Sequence, residues 1–189
     1  MEKIKPVVPA GFPLDGFFST IKMMVSTFFR ARVPIKPLSK DCCKHYDLII
    51  LAGPTWSYNP SGPVLSLIDR DGELLFGGKE IMPIISCRGY WRMHMWGLKK
   101  LLARCGAEIT NHIVFSHPSS EPWRTLGVFL KIAGKNPERS GLIGKFYKRY
   151  GHSKAQMVEA RRFGTMIGEV LMKEGSVSSL NFRTQIALP

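Results

Sequence analysis

The hydrophobic pattern alternates between continuous apolar runs and apolar residues spaced three or four positions apart. Leu48 to Gly53 and Glu80 to Ser86 are short, largely apolar runs bounded by turn residues, typical of parallel strands buried on both faces. Glu108 to Phe115 predicts a third strand. Because helical spacing separates these runs, the order is strand, helix, strand, helix, strand, helix. That order predicts an α/β fold with a parallel sheet and right-handed crossovers.

Helices are predicted before and after each strand along the chain. Asp15 can cap a first helix that runs to about Arg30. Two further helices cover Val64 to about Asp69, which Pro63 begins, and about Arg92 to Arg104, with Gly106 as its stop. Turns are predicted at Asp71-Gly72 and Gly77-Gly78, and Asp69, Asp71 and Glu73 are read as solvated turn residues.

The first predicted helix has one strongly apolar face. The residues of this face are Phe17, Phe18, Ile21, Met24, Val25, Phe28 and Phe29. The face is typical of a helix that packs on the core. The alternative is a lid over an aromatic or lipidic ligand, because Phe and Met side chains make adaptable contacts.

The C-terminal third contains an irregular insertion and a final helix. Residues 118–152 predict an insertion with short helices over Trp123–Ile132 and Leu142–Tyr150. Ser153 and Gln156 form a capping-box pattern for the last helix, and Gly175 ends it. Its predicted buried face is Met157, Ala160, Phe163, Ile167, Val170 and Leu171. We therefore expect one domain over residues 1–175 and a flexible tail over 176–189.

Composition narrows the class of protein. The 189 residues carry 27 Lys and Arg against 14 Asp and Glu, a net charge of +13 with 44% hydrophobic residues, which excludes a wholly disordered chain. Residues 118–154 hold eight basic and two acidic residues, and such a stretch either attracts an anionic partner or is simply a solvated surface. No apolar run reaches the length of a membrane span, and no secretory signal is apparent. The four cysteines show no Cys-x-x-Cys pair, so a cytoplasmic location is expected.

Two segments carry a resemblance to a known family. The segment YDLIILAGPTWSYNPSGPV (46–64) resembles the third strand of flavodoxin-like proteins and its following loop. The segment KEIMPIISCRGYWRMHMWGLKKLLARCGAEI (79–109) is similar to their fourth strand, the next loop and helix, and the start of the fifth strand. The opening and the added C-terminal helices look more like a branch labelled NAD(P)H-dependent oxidoreductase, related to a dialkylresorcinol condensing enzyme. The resemblance implies a three-layer flavodoxin-like parallel sheet with extra helices near the C-terminus.

The resemblance also implies a cofactor, flavin mononucleotide (FMN), and a site for its ring. The loops after the third and fourth family strands usually sandwich that ring with an aromatic side chain. The implied cofactor-binding residues are Thr55, Trp56, Ser57, Tyr58, Asn59, Cys87, Arg88, Gly89 and Tyr90. In this assignment Trp56 and Tyr58 stack on the ring, and Arg88 neutralises a reduced, anionic ring or a nicotinamide phosphate. The implied partners are NAD(P)H, a redox partner or small-molecule substrate, and a second copy of the chain in a homodimer.

One feature of the family is missing from the sequence. No Ser/Thr-rich loop that would bind the cofactor phosphate is found, and the first βα unit that carries it, the centre of a 2-1-3-4-5 sheet, is not recognised. Three explanations stay open. Met1 is an internal residue of a longer protein, or Lys3 to Val8 or a partner replaces the strand, or the assumed register is wrong.

Several residues have both a chemical and a structural interpretation. Cys87 precedes Arg88, and a nearby cation would lower its thiol pKa, whereas the alternative is a small buried side chain. His117 follows a predicted strand and is the histidine best placed for acid–base chemistry; none of the five histidines has metal-ligand spacing. Trp91, Arg92 and Trp96 form either an aromatic-basic nucleic-acid patch or a packed helix start.

Two functions follow from these observations. The first is an FMN-dependent oxidoreductase, NAD(P)H-dependent in one form, or an electron-transfer flavoprotein. The second is a flavodoxin-fold protein that has lost its cofactor and binds an anionic partner, nucleic acid or membrane, through residues 118–154. No catalytic residue is predicted for either function.

Overall fold

The computed structural model describes residues 1–9, 11, 14, 16–147 and 151–188. The helices are α1 (Gly16–Phe28), α2 (Gly62–Phe76), α3 (Arg92–Arg104), α4 (Trp123–Ile132) and α5 (Lys154–Met172). The strands are β1 (Ile49–Trp56), β2 (Asn59–Pro60), β3 (Glu80–Cys87), β4 (Glu108–Ile109), β5 (Ile113–Ser116) and β6 (Ala187–Leu188). Short 3-10 turns lie at Lys40–Cys43, Pro137–Arg139, Ile143–Lys145 and Val177–Ser179.

The strands form one mixed sheet in the order β2-β1-β3-β5-β6, with β4 also paired to β3. The long strands β1, β3 and β5 are mutually parallel, whereas the two-residue strands β2 and β6 add antiparallel edges. The predicted α/β class with a mostly parallel sheet is confirmed. The three parallel strands are neighbours in chain order, as the last three strands of a 2-1-3-4-5 sheet are.

Helices cover both faces of the sheet, so the predicted three layers are present. On one face, α2 and α3 bury a core that includes Leu65, Ile81 and Leu102. On the other face, α5 buries Phe163 against Phe115 of β5. The core is therefore centred on β3 and β5.

The outer edge of β1 is less covered than its sequence predicts. Among the described residues, only the two-residue strand β2 pairs with β1 on the side away from β3, and it covers only Thr55 and Trp56 at the end of the strand. Ile50 is 47% exposed, so burial on both faces is wrong for this part of the Leu48 to Gly53 run. Lys3 to Val8 does not supply the substitute strand, because Lys5 and Val7 are hydrogen-bonded to the backbone of residues 34–36 instead.

The third parallel strand is interrupted, which the sequence does not predict. Glu108 to Phe115 was expected as one strand, but it is divided into β4 and β5. The register runs from the Ile81–Ile109 pair to the Ile84–Ile113 pair, so two residues of β3 face three of its neighbour. Pro83 lies in this gap and has no N–H to donate, which accounts for the local bulge.

Helix α2 is longer than predicted. The turn expected at Asp71-Gly72 is helical, and the helix continues to Phe76. Gly72 is buried against α3, where an added Cβ would lie 2.6 Å from Sγ of Cys105. Glycine is therefore present at this position for close packing and not for a turn. The turn at Gly77-Gly78 is confirmed, with Gly78 at φ +65°.

Helix α1 forms where its spacing predicts it, but its predicted core-facing orientation is wrong. Phe18, Val25 and Phe28 are each at least half exposed, and none of the described α1 residues belongs to a buried cluster. The periodicity defines an apolar face and contains no information about what the face contacts. Asp15, the predicted cap, lies outside the described residues.

The C-terminal region is more ordered than predicted. The capping box of Ser153 and Gln156 is confirmed, and α4 has the predicted bounds, whereas only Ile143–Lys145 is helical within the described part of 142–150. Met157 is 54% exposed, so it does not belong to the buried face of α5. The expected flexible tail instead packs on the sheet: Phe182 is buried and β6 pairs with β5.

Candidate functional site

A cavity of about 170 Å³ lies at the carboxyl ends of the three parallel strands. Parallel α/β sheets bind ligands at this edge, because the loops that follow adjacent strands converge there. The cavity is lined by Pro54, Thr55, Trp56, Ser86, Cys87, Arg88, Phe115, Ser116, His117, Val128, Gly151 and His152. Trp56 and Arg88, which lie at the ends of the adjacent parallel strands β1 and β3, thus line the same cavity.

Arg88 gives the cavity a positive charge. Its guanidinium carbon lies 5.4 Å from the ring centroid of Tyr90 and 5.6 Å from that of Phe129. Within the described part of the chain, no carboxylate forms an ion pair with Arg88. A half-buried guanidinium beside aromatic faces attracts an anion.

Arg124, by contrast, is held by a carboxylate. Its Nε lies 3.0 Å from Oε1 of Glu121. Burial raises the pKa of Glu121, but hydrogen bonds from Thr125 and Arg124 outweigh that effect and bring it to about 2. Arg124 also packs under Gly89, where a Cβ would lie 2.8 Å from the guanidinium. Arg124 therefore fixes the loop after β3.

The turn between β1 and β2 is tight and strained. Ser57 and Tyr58 are its two central residues and have φ of 43° and 70°. Two consecutive positive φ values define the hairpin turn that normally prefers Asn-Gly, so a tyrosine there is an outlier. The Tyr58 ring meets the Tyr90 ring edge-on, with centroids 5.5 Å apart. The two predicted ring loops thus touch at their tips.

Ser57 and Asn59 contact α1. The hydroxyls of Ser57 and Thr27 are hydrogen-bonded at 2.6 Å. The buried amide of Asn59 donates to the carbonyl oxygens of Thr27 and Phe28, and its oxygen accepts from Nε of Arg30 at 2.8 Å. These polar groups anchor the C-terminal end of α1, so the structure gives them a structural role that the sequence does not reveal.

Thr55 is likewise engaged inside the protein. Its hydroxyl is 2.8 Å from Nδ1 of His94 on α3, and His94 is only 3% exposed. Burial lowers the pKa of His94 to about 4, so the imidazole is neutral near pH 7. This bond joins the end of β1 to α3.

Burial shifts the pKa values of two cavity side chains, Cys87 and His117, toward their neutral forms. Burial raises the pKa of the Cys87 thiol, outweighing the opposing effects of the Gly89 N–H and Arg124. The interpretation of Cys87 as an activated thiol is therefore not supported. Burial, together with the charge of Arg124, lowers the pKa of His117, whose Nδ1 accepts a hydrogen bond from the N–H of Ser119. The proton of the neutral ring is thus placed on Nε2.

The insertion covers one side of the cavity. Within the insertion Trp123 stacks on Phe146 at 4.6 Å, and Tyr147 stacks at 5.0 Å on His117, which precedes the insertion. Gly127 allows α4 to pack directly on Tyr147, because an added Cβ would overlap the Tyr147 ring. Sequence reasoning did not include Val128 or His152 in the site, because their approach depends on tertiary packing of an irregular segment.

The cavity fits part of a flavin and not the whole cofactor. Pockets that enclose a drug-sized ligand measure roughly 300–1,000 Å³. At about 170 Å³, this cavity can take one end of a planar ring, and the remainder would lie across the rim near Tyr58 and Tyr90. The N-termini of α4 and α5 are already capped by Glu121 and Ser153. Neither helix is thus available to a phosphate.

Comparisons with known proteins give only a distant likeness. No family model matches the chain, and no curated protein matches it. A flavoprotein in complex with FMN from Lactobacillus acidophilus NCFM is similar in structure over 59% of this chain and 71% of its own, with 16% identity and a TM-score of 0.45. A likeness this weak has no bearing on ligand or reaction.

Two kinds of feature are absent from the described residues. Within them, no helix combines the length and apolar character needed to span a bilayer. Among the described residues, no three or more histidine, cysteine or acidic side chains lie close enough together to hold a metal ion.

Proposed function

We propose that the protein binds the ring of a flavin in the strand-end cavity and acts as an FMN- or flavin-dependent oxidoreductase or electron carrier. The observation that carries the proposal is that Trp56 and Arg88, from adjacent parallel strands, line one cavity at the ligand-binding edge of the sheet. A bound flavin supplies the hydride or electron chemistry. The protein residues bind, orient and polarise it.

Each cavity residue has a definite task in this proposal. Trp56 offers an apolar face for stacking, and Arg88 offers a positive charge that favours an anionic, reduced ring over a neutral one. Tyr58 and Tyr90 close the rim. Thr55 and Asn59 act by holding β1 and α1 in place, because their polar groups are already hydrogen-bonded within the protein.

The strained turn supports a functional role for Tyr58. A non-glycine residue in the left-handed region costs about 1 kcal/mol or more, and such strain clusters at ligand sites. Glycine or asparagine would relieve the strain without altering the hairpin. The presence of tyrosine indicates that its ring, set against Tyr90, is needed where it lies.

Comparing FMN with riboflavin tests the proposal. Since the residues described provide a place for the ring and no phosphate loop, we expect both flavins to bind with dissociation constants within about threefold of each other. Fluorescence titration of the purified protein measures both values. FMN binding roughly a hundredfold more tightly would show a phosphate site and contradict this geometry, and binding of neither flavin would refute the proposal.

A second candidate function is supported by the small size of the cavity. At about 170 Å³ it is well below the usual range for a cofactor site, as in a protein that has lost its flavin and binds an anionic partner through residues 118–154. Two of the basic residues there are already paired, Arg124 with Glu121 and Lys131 with Glu138. Absence of flavin binding together with salt-sensitive binding to heparin or DNA would favour this function.

A further inference from the structure

The outer side of α1 carries a continuous stripe of exposed apolar side chains that continues just past the helix end. Its members are 41–85% exposed and are Phe18, Ile21, Val25, Phe28 and Phe29. Their spacing of three and four residues places them on one side of the helix. The other side faces the β1–β2 turn, where Ser57 and Asn59 bond to the carbonyl oxygens of Met24, Thr27 and Phe28. The apolar stripe is thus held outward by specific polar contacts.

Helix α3 continues this exposed surface. The guanidinium of Arg30, at the end of α1, packs on Gly97 of α3, where an added Cβ would lie 3.1 Å from Nη2. Met93 and Trp96 lie on α3 just before Gly97. They are 54% and 56% exposed. Nζ of Lys100 lies 3.8 Å from the Trp96 ring centroid. We call the exposed sides of α1 and α3 the apolar-basic face.

The charge of this face has one sign. Neither α1 nor α3 contains an aspartate or glutamate. The two helices, together with Arg30 just after α1, carry Lys22, Arg30, Arg92, Lys99, Lys100 and Arg104. In the part of the chain that the structure describes, none of these six forms an ion pair. The face therefore combines an apolar surface with unneutralised positive charge.

We propose that the apolar-basic face docks the protein reversibly on a bilayer that contains anionic lipid. Aromatic and aliphatic side chains enter the boundary between headgroups and acyl chains, while lysine and arginine attract the anionic headgroups. Tryptophan prefers this boundary because its ring is apolar and its N–H is polar. The proposal does not depend on flavin binding.

Two other occupants explain the face less well. A second copy would bring two positively charged surfaces together, and like charges in an interface are unfavourable. Nucleic acid would neutralise the charges, but it offers no apolar phase for Ile21, Val25 or Phe28. Lipid is the partner that satisfies both features at once.

Vesicle co-sedimentation with a double substitution tests the apolar contribution. Wild-type protein should pellet with phosphatidylcholine vesicles that contain phosphatidylglycerol, and much less with phosphatidylcholine alone. Phe28→Ser with Phe29→Ser should weaken partitioning roughly tenfold or more, since two large side chains no longer enter the bilayer. The matched control is Leu74→Ser with Met172→Ser, which removes two side chains of 68% and 80% exposure on other helices and should leave partitioning unchanged.

A second pair of variants tests the charge. Lys22→Gln with Lys100→Gln should weaken partitioning about tenfold or more, because each lysine near an anionic surface contributes on the order of 1 kcal/mol. Lys36→Gln with Lys173→Gln makes the same change in net charge away from the face and should have less than about a threefold effect. All these side chains are exposed, so circular dichroism should show that each variant folds like the wild type.

Quenching by brominated lipid locates the docked surface. Tryptophan emission should be quenched on binding, and Trp96→Phe should remove most of that quenching. Several results would overturn the proposal: no vesicle binding, equal binding to neutral vesicles, equal loss in the control variants, or concentration-dependent dimerisation through this face detected by light scattering. Flavin titration of the Phe28→Ser, Phe29→Ser protein should match the wild type, which separates this proposal from the proposed function.

Discussion

His94 shows how burial decides the chemistry of a single side chain. From the sequence it is one of five histidines without metal-ligand spacing. In the structure it is enclosed between α3 and the end of β1, hydrogen-bonded to Thr55 and neutral because its pKa is lowered to about 4. Its importance for the site is thus to hold β1 in position and not to transfer protons.

The lowered pKa of His94 predicts acid sensitivity. The unfolded chain binds the proton near pH 6.5 and the folded protein only near pH 4, so the unfolded state takes up more protons as pH falls through that window. The free energy of unfolding should therefore fall by up to about 3 kcal/mol between those values, with His112 and His117 acting in the same direction.

Urea unfolding at a series of pH values measures this effect. His94→Gln keeps a hydrogen-bonding partner for Thr55 and removes the titrating group, so its stability should change less with pH in that window. An unchanged pH dependence in the variant would show that His94 is not the source.

The turn residue Tyr58 gives a second prediction at this scale. Tyr58→Gly relieves a positive φ of 70° but loses the contact with Tyr90. Because these effects oppose each other at about 1 kcal/mol each, the free energy of unfolding should change by less than about 1 kcal/mol. Flavin affinity should nevertheless fall severalfold, as fluorescence titration would show. A variant that is much less stable, or that binds flavin like the wild type, would contradict a role for the Tyr58 ring in flavin binding.

Among the helices and strands, α1 and the strand next to Pro83 show what the hydrophobic pattern of a sequence can and cannot predict. The apolar spacing of α1 correctly predicts a helix, yet the face points outward because Ser57 and Asn59 hold the opposite side. Those bonds join residues 30 or more positions apart, which no local pattern encodes. Pro83 lies inside β3, and the interruption of regular pairing falls in the strand next to it.

The contact of α4 with the rest of the insertion predicts opposite effects for two similar substitutions. Gly127→Ala places a methyl group against the Tyr147 ring and should destabilise the protein by roughly 1–3 kcal/mol. Gly164→Ala, in α5, meets no atom within 4 Å and should stabilise it by about 0.5–1 kcal/mol, as alanine favours helices. Thermal unfolding of both variants makes the comparison, and equal effects would show that α4 does not pack on Tyr147 in solution.

At the scale of the whole molecule, the sheet fixes where a site can be. The order of β1, β3 and β5 follows from the sequence, because apolar runs separated by helices admit few arrangements. That order brings Trp56 and Arg88 together, so the centre of the candidate site was predictable. The contributions of Val128 and His152 were not, since they come from an insertion without a regular pattern.

Flavin fluorescence with a pair of tryptophan variants tests whether the flavin ring lies in the strand-end cavity. If the ring lies in the strand-end cavity, added flavin should be quenched by the wild-type protein, and Trp56→Ala should weaken binding about tenfold or more, since stacking on an aromatic side chain is lost. The Trp96→Ala variant changes an exposed side chain of α3 that does not line the cavity, so it should bind flavin like the wild type. Equal binding by all three proteins, or no quenching by any of them, would contradict flavin binding in this cavity.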